Sequence, residues 1–173
     1  SGYVFVESLN GYSIAHPGMP GQEGTFTMDQ TDANGKPIVV EMINLAQYVG
    51  FGFLEYAWQE PVTQIIEKKL TFVKEIPASH WYAGSGFYLQ ADLPLMSAQE
   101  VNNLVVVNAV DAMAKGLGAV LTAQYTDSLK GVEVMRTFLQ HIRFFDDLSG
   151  YYYVIDFSGY NVVQPPNPAI QGN

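Results

Sequence analysis

Residues 1–24 align without a gap on residues 149–172, at a constant offset of 148. Identities fall at Ser1/Ser149, Gly2/Gly150, Tyr3/Tyr151, Val6/Val154, Gly11/Gly159, Tyr12/Tyr160, Pro17/Pro165, Pro20/Pro168 and Gly24/Gly172. Two unrelated β-hairpins share a Gly and a Pro by chance, but not both ends and the middle in one register, so the match predicts an internal duplication. Each copy reads as a β-rich run, a turn holding Asn10-Gly11 or Ser158-Gly159, a second short strand and a Pro/Gly-rich exit, which is a β-hairpin followed by a loop. The 173-residue chain is therefore one period of 148 plus the beginning of the next.

Between the copies the pattern changes twice. The turn-rich stretch Asp32-Ala33-Asn34-Gly35-Lys36-Pro37 leads through an extended Ile38-Val39-Val40 into an amphipathic helix carrying Met42, Ile43, Ala46 and Val49, which Gly50 closes. Residues Phe51 to Trp58, Lys68 to Glu75 and His80 to Leu89 are aromatic and β-branched, and read as three more strands. Five strands are thus expected in residues 1–92. Past Pro94 the pattern is helical, opened by the capping box Ser97-Ala98-Gln99-Glu100. Val101, Leu104, Val105, Met113 and Val120 mark a buried face, weakened by Gly116 and Gly118. A second helix is expected over Ser128 to Phe144, with Val132, Met135, Phe138, Leu139 and Ile142 on one side. The expected organisation is a sheet unit over 1–92, a helical connector over 93–148 and the first hairpin of a second, incomplete repeat over 149–173.

Composition excludes several function classes. With 8 Lys+Arg against 17 Asp+Glu the formal charge is −9, which repels phosphate backbones and argues against nucleic acid. Cysteine is absent, so thiol catalysis, disulfides, Cys-ligated zinc and iron–sulfur clusters are excluded. The N-terminus lacks the basic and apolar pattern of a signal peptide. Leu104 to Thr122 is interrupted by Asn108, Asp111 and Lys115, so no membrane span is expected. His16, His80 and His141 have no zinc spacing, no Gly-x-Ser-x-Gly elbow exists, and Glu55 stands where a dinucleotide fingerprint after Gly50-Phe51-Gly52 needs glycine. A calcium loop counted from Gln30 to Glu41 would open on Gln rather than Asp. Neither an enzyme, a cofactor nor a metal site is expected.

The ordered set Gly2-Tyr3-Val4-Phe5-Val6, Asn10-Gly11, Ala15-His16-Pro17, Glu23-Gly24, Asp32 to Lys36, Gly50-Phe51-Gly52, Tyr56-Ala57-Trp58, Pro61, Lys69 to Val73, Trp81 and Gly84 to Tyr88 resembles the single Cache type 2 domain. Members of that family are extracytoplasmic ligand-sensing domains of chemoreceptors and sensor kinases. Phe138 to Phe144, Gly150 to Val154 and Pro165 to Asn173 resemble the start of the same domain, where a long helix precedes the hairpin. The resemblance implies an α+β fold: a PAS-like five-stranded antiparallel sheet, here with a long helical segment and an extra C-terminal hairpin. It also implies a pocket for small carboxylates of the acetate, propionate, pyruvate or lactate class, and a periplasmic, cell-surface or secreted location.

A carboxylate needs a cation or convergent donors, and both arginines, Arg136 and Arg143, lie outside the first unit. Lys69 matches the lysine at the head of the family's strand and is the candidate for the anionic group, although Lys68 and Lys69 equally fit solvated strand-end charges. Tyr56 and Trp58 share one strand face, and Trp81 and Tyr88 come from a strand expected nearby. These four could wall a pocket or simply fill a core, and the sequence leaves both open. His16 stands at the hairpin exit, where it serves as an anion contact or a structural turn residue. Two functions follow: a ligand-binding sensor module, or an assembly subunit that donates its C-terminal hairpin and helix to a neighbouring copy as a swapped dimer or filament. A chain excerpted from a tandem array is compatible with both.

Overall fold

The computed structural model describes residues 3–89, 97–124, 128–144 and 147–172. The expected boundary at residue 92 and the first two pairs of the repeat lie outside the described residues. The chain divides into two compact units, Ser1–Leu93 and Pro94–Asn173.

Unit 1 is α+β. Strands β1 (Val4–Ser8), β2 (Ser13–Ala15), β3 (Phe51–Gln59), β4 (Ile66–Glu75) and β5 (Trp81–Tyr88) form one antiparallel sheet in the order β2-β1-β5-β4-β3. This is the expected five-stranded fold. The β1–β2 turn closes on Gly11 at φ +81°, a left-handed conformation that costs a side chain strain. Helix α1 (Ile38–Asn44) runs into a π-helical turn, Leu45–Val49, and ends at Gly50 in the left-handed cap. The helix begins at Ile38, at least three residues earlier than expected. Pro37 occupies the N-cap, where its missing N–H costs nothing, so Ile38 and Val39 are buried on the helix rather than extended.

Cross-strand partners share a face, and strand parity decides which residues see α1. Phe5 and Glu7, Leu54 and Tyr56, Lys69, Thr71 and Val73, and Tyr82 lie buried on the inner face with Ile38, Val39, Met42, Ile43 and Ala46. The opposite face carries Val4, Phe51, Phe53, Trp81 and Phe87, all exposed.

Unit 2 contains α2 (Ala98–Gln124), α3 (Ser128–Leu139) and a hairpin of β6 (Val154–Ile155) and β7 (Asn161–Val163). The capping box forms: the Ser97 amide donates to Glu100 at 2.8 Å and the Glu100 amide to Ser97 Oγ at 3.3 Å. Helix α2 continues unbroken through Gly116 and Gly118. Its expected buried face is not buried, since Val101, Leu104, Val105 and Val120 are exposed. Leu139, Val162 and Val163 form the core of this unit, and among the described residues of α2 Met113 and Leu117 pack against it. Phe138, expected on the buried side of α3, is also exposed, because it sits one residue off the Val132–Met135–Leu139 stripe. Ala98–Ala123 is long and apolar enough to cross a membrane by length and composition, with a mean hydropathy of 1.7, even with Asp111 and Lys115, which pair at 2.7 Å.

The two hairpins match down to individual hydrogen bonds. Val6 pairs with Ala15 and Glu7 with Ser13, around a bulge; Val154 pairs with Val163 and Ile155 with Asn161, around the same bulge. The Ser8 amide donates to the Tyr12 carbonyl at 2.8 Å and the Asp156 amide to the Tyr160 carbonyl at 3.0 Å. Gly24 donates to Ser13, as Gly172 does to Asn161. Gly159 takes φ +90°, as Gly11 takes +81°. Each copy ends in a 3-10 turn at the same offset, Pro20–Gln22 and Pro168–Ile170.

Candidate functional site

The inner face of the unit 1 sheet and α1 enclose a small cavity of about 20 Å³, lined among others by Tyr3, Phe5, Glu7, His16, Trp58 and Lys69. That volume accommodates about one water molecule. An open cleft of about 580 Å³ lies beside it, and Tyr3, Met19 and Trp58 line both, so these three side chains form the partition. Met19 reaches it from the loop after β2, where Gly18 lets the backbone press against the Tyr3 ring. A Cβ at Gly18 would stand 2.5 Å from that ring.

Lys69 is the centre of the site. Odd-numbered residues of β4 face inward, which places Lys69 directly between its cross-strand partners Tyr56 and Tyr88, while neighbouring Lys68 faces out and pairs with Glu55 at 3.0 Å. Lys69 is only 3% exposed. Its ammonium donates to Tyr3 Oη at 3.3 Å and stands over the rings of Tyr3 and Tyr88 at 5.1 and 5.3 Å. Among the described residues Tyr3 is its one hydrogen-bond partner and no carboxylate pairs with it, so two of its three N–H donors are not taken up by them. Burial pushes the Lys69 ammonium below its ordinary pKa, which is the cost of an unpaired charge in an apolar wall.

His16 is 5% exposed and stacks on Phe5, with ring centres 5.4 Å apart. Its backbone amide donates to Glu23 at 2.7 Å, which fixes the hairpin exit. Its Nδ1 is buried without a hydrogen-bond partner. Burial, and after it the charge of Lys69, push its pKa down, against a backbone hydrogen bond and the charge of Glu23. Tyr56 donates to or accepts from Thr71 at 3.0 Å, and burial raises its hydroxyl pKa. Burial likewise raises Tyr88 to about 12, and its hydroxyl donates to the Gln59 carbonyl at 2.7 Å.

Of the six residues expected to contact a ligand, Lys69, Tyr56, Trp58 and His16 line the cavity, while Tyr88 does not line it and only stands with its ring 5.3 Å from the Lys69 ammonium. Trp81 does not. Even-numbered residues of β5 face inward, so Trp81 lies on the outer face and is exposed, and its neighbour Tyr82 takes the buried place. Tyr3, Glu7 and Met19 were not expected. Tyr3 carried a sign in its repeat partner Tyr151, and Glu7 in its period-two spacing from Tyr3 and Phe5. Met19, in a Pro/Gly loop, carried none. The Asp32 turn is explained without a metal: its carboxylate accepts from the amides of Asn34 (2.8 Å), Lys36 (2.9 Å) and Ala57 (2.9 Å), tying the turn to β3. Those backbone hydrogen bonds hold the Asp32 carboxyl below its usual pKa.

A family model described as the Cache domain matches residues 1–99. The sensor histidine kinase MctS of Rhizobium johnstonii is 39% identical over 88 residues, a match covering 51% of this chain and 19% of the kinase. Similar solved structures include the periplasmic sensor domain of a chemotaxis protein, at 30% identity and TM-score 0.49, covering 52% of this chain and 62% of that one. Another is a Cache chemosensory domain described for carboxylic acid recognition, at 29% identity and TM-score 0.49, covering 51% and 60%. This chain thus spans less than two thirds of each of these relatives.

Proposed function

Since the chain belongs to the Cache domain family, by a match over residues 1–99, we propose that unit 1 is the ligand-binding module of an extracytoplasmic sensor and that its ligand is a short monocarboxylate. The observation that carries the reading is Lys69: a buried ammonium with no acidic partner among the described residues, lining the same cavity as the unpartnered Nδ1 of His16 and the hydroxyl of Tyr3. A carboxylate placed there would complete the charge pair and accept two N–H bonds, offsetting the cost of burying the lysine. The cavity as it stands has room for about one water, so a ligand of even two or three carbons requires Tyr3, Met19 or Trp58 to move and open it toward the neighbouring cleft. Isothermal titration with acetate, propionate, pyruvate and lactate tests this. The intact chain should bind at least one of them, and Lys69→Ala should bind it at least about tenfold more weakly; an intact chain that binds none would sink the proposal.

A second reading rests on the open hairpin. In unit 1, β1 pairs with β2 on one side and β5 on the other, whereas β6 pairs only with β7 among the described residues. Its free edge invites a further strand, supplied either by a continuing repeat or by another copy of the chain. Sedimentation of the intact chain against a deletion of 149–173 tests the second source. An unchanged assembly state would exclude exchange between copies.

A further inference from the structure

The cavity holds an acid as well as a base. Glu7 lines it and is 5% exposed, although the Tyr82 hydroxyl is its one hydrogen-bond partner among the described residues. That hydroxyl donates to Oε2 alone. Burial raises the Glu7 carboxyl above its ordinary pKa, and the bond from Tyr82 only partly offsets this. An acid buried with so few donors is unfavourable for folding. The hairpin does not need it, because the second copy makes the same bulge, turn and strand pairs with Ile155 at the equivalent position. In unit 1 the acid has two tasks: it accepts from the buried Tyr82 hydroxyl, and it forms a polar part of the cavity wall.

We propose that Glu7 is a specificity-determining acceptor for the carboxylate ligand, selecting short acids that carry a hydrogen-bond donor, a hydroxyl or an ammonium, on the carbon chain. Lys69 and His16 take the carboxylate and Glu7 takes the donor. This rests on the reading of the pocket proposed above. A simple fatty acid leaves the Glu7 carboxylate facing methylene, unsatisfied, which costs on the order of tenfold in affinity. A keto oxygen, an acceptor only, fares no better.

Four acids of three carbons separate the terms at nearly constant size: propionate, pyruvate, lactate and alanine. Titrated into the intact chain, lactate or alanine should bind about tenfold more tightly than propionate and pyruvate. Whichever of the two is tighter distinguishes a hydroxyl from an ammonium. Glu7→Ile, the residue the second hairpin already carries, should abolish the preference and tighten propionate. Glu7→Gln, which keeps the shape, serves if the isoleucine variant fails to fold, and should also narrow the gap. Propionate binding as tightly as both lactate and alanine would overturn the assignment of Glu7 while leaving the pocket intact. So would a preference that survives in the Glu7 variants. Binding of none of the four would overturn the pocket itself, and this inference with it.

Discussion

The two hairpins share a backbone and differ in what they present. Tyr3, Phe5, Glu7 and His16 of the first become Tyr151, Tyr153, Ile155 and Gln164 in the second, with the turn glycine, the bulge and the 3-10 exit unchanged. Turn and exit residues set the backbone, and the inward side chains set the chemistry almost independently of it. The environments differ too. The first hairpin lies in a five-stranded sheet, while the second is held by Leu139 against Val162 and Val163. One scaffold thus serves as the wall of a charged pocket in one place and as an apolar layer in the other.

The largest effect expected is on binding. Lys69→Met removes the cation while keeping the stem that packs between Tyr56 and Tyr88, and should weaken a carboxylate by roughly 10- to 100-fold, since bonds to charged groups contribute about 1.5–3 kcal/mol. Stability should hold or rise, because an unpaired buried charge is lost. The glycines break the comparison next. Both Gly11→Ala and Gly159→Ala force a side chain into the left-handed region, at about 1–2 kcal/mol each. Only Gly11 also meets an obstacle, the Met28 side chain at 2.9 Å, while a Cβ at Gly159 meets nothing within 4 Å. Denaturant unfolding should therefore find Gly11→Ala clearly the worse; equal losses would show that the two turns are not distinguished by their surroundings.

A smaller effect follows from the acid. The folded-state pKa of Glu7 lies above its ordinary 4.5, so its unfavourable contribution is absent below that pH and grows as pH rises through the folded value. Glu7→Ile leaves the Tyr82 hydroxyl without its acceptor at every pH, so thermal unfolding should show the variant's stability relative to the intact chain rising from pH 4 to pH 8, whatever its sign. The converse change, Ile155→Glu, falls on a 48% exposed side chain and should leave stability nearly flat with pH. The smallest contrast lies in the turns. Ser8 Oγ accepts from the Tyr12 amide, and Asp156 Oδ1 accepts from the Tyr160 amide, both at 2.9 Å. Asp156 titrates and Ser8 does not. Hydrogen bonds from Ser158 and Tyr160 hold the Asp156 carboxyl below its ordinary 3.8, so its stabilisation is present above that value and is lost as pH falls through the folded one. Amide exchange at Tyr160, corrected for intrinsic rates, should accelerate relative to Tyr12 only below about pH 4.

Much of the fold was legible because it depends on local residue types. Asn10-Gly11, Gly50 and Ser97-x-x-Glu100 each require a particular turn or cap, and each forms it. Where packing decides, the sequence was less informative. Val101, Leu104 and Val105 have a helical period, yet nothing in α2's own run of residues says which face meets the rest of unit 2. Trp81 failed through strand phase: a shift of one residue moves a side chain to the other face, and the aromatic pair Trp81-Tyr82 is compatible with either phase. Lys69 was recoverable from the resemblance, whereas Glu7 required its cross-strand partner, Tyr82, which lies 75 residues away.

Isotope-filtered nuclear Overhauser contacts from the methyl group of bound lactate or propionate would test most directly which hairpin houses the ligand. Contacts to the rings of Tyr3, Phe5 and Trp58 are the result expected of a ligand held between Lys69 and Glu7. Contacts to Tyr151 or Tyr153 instead, or a bound ligand whose contacts survive Lys69→Met unchanged, would contradict the placement of the site beneath the first hairpin.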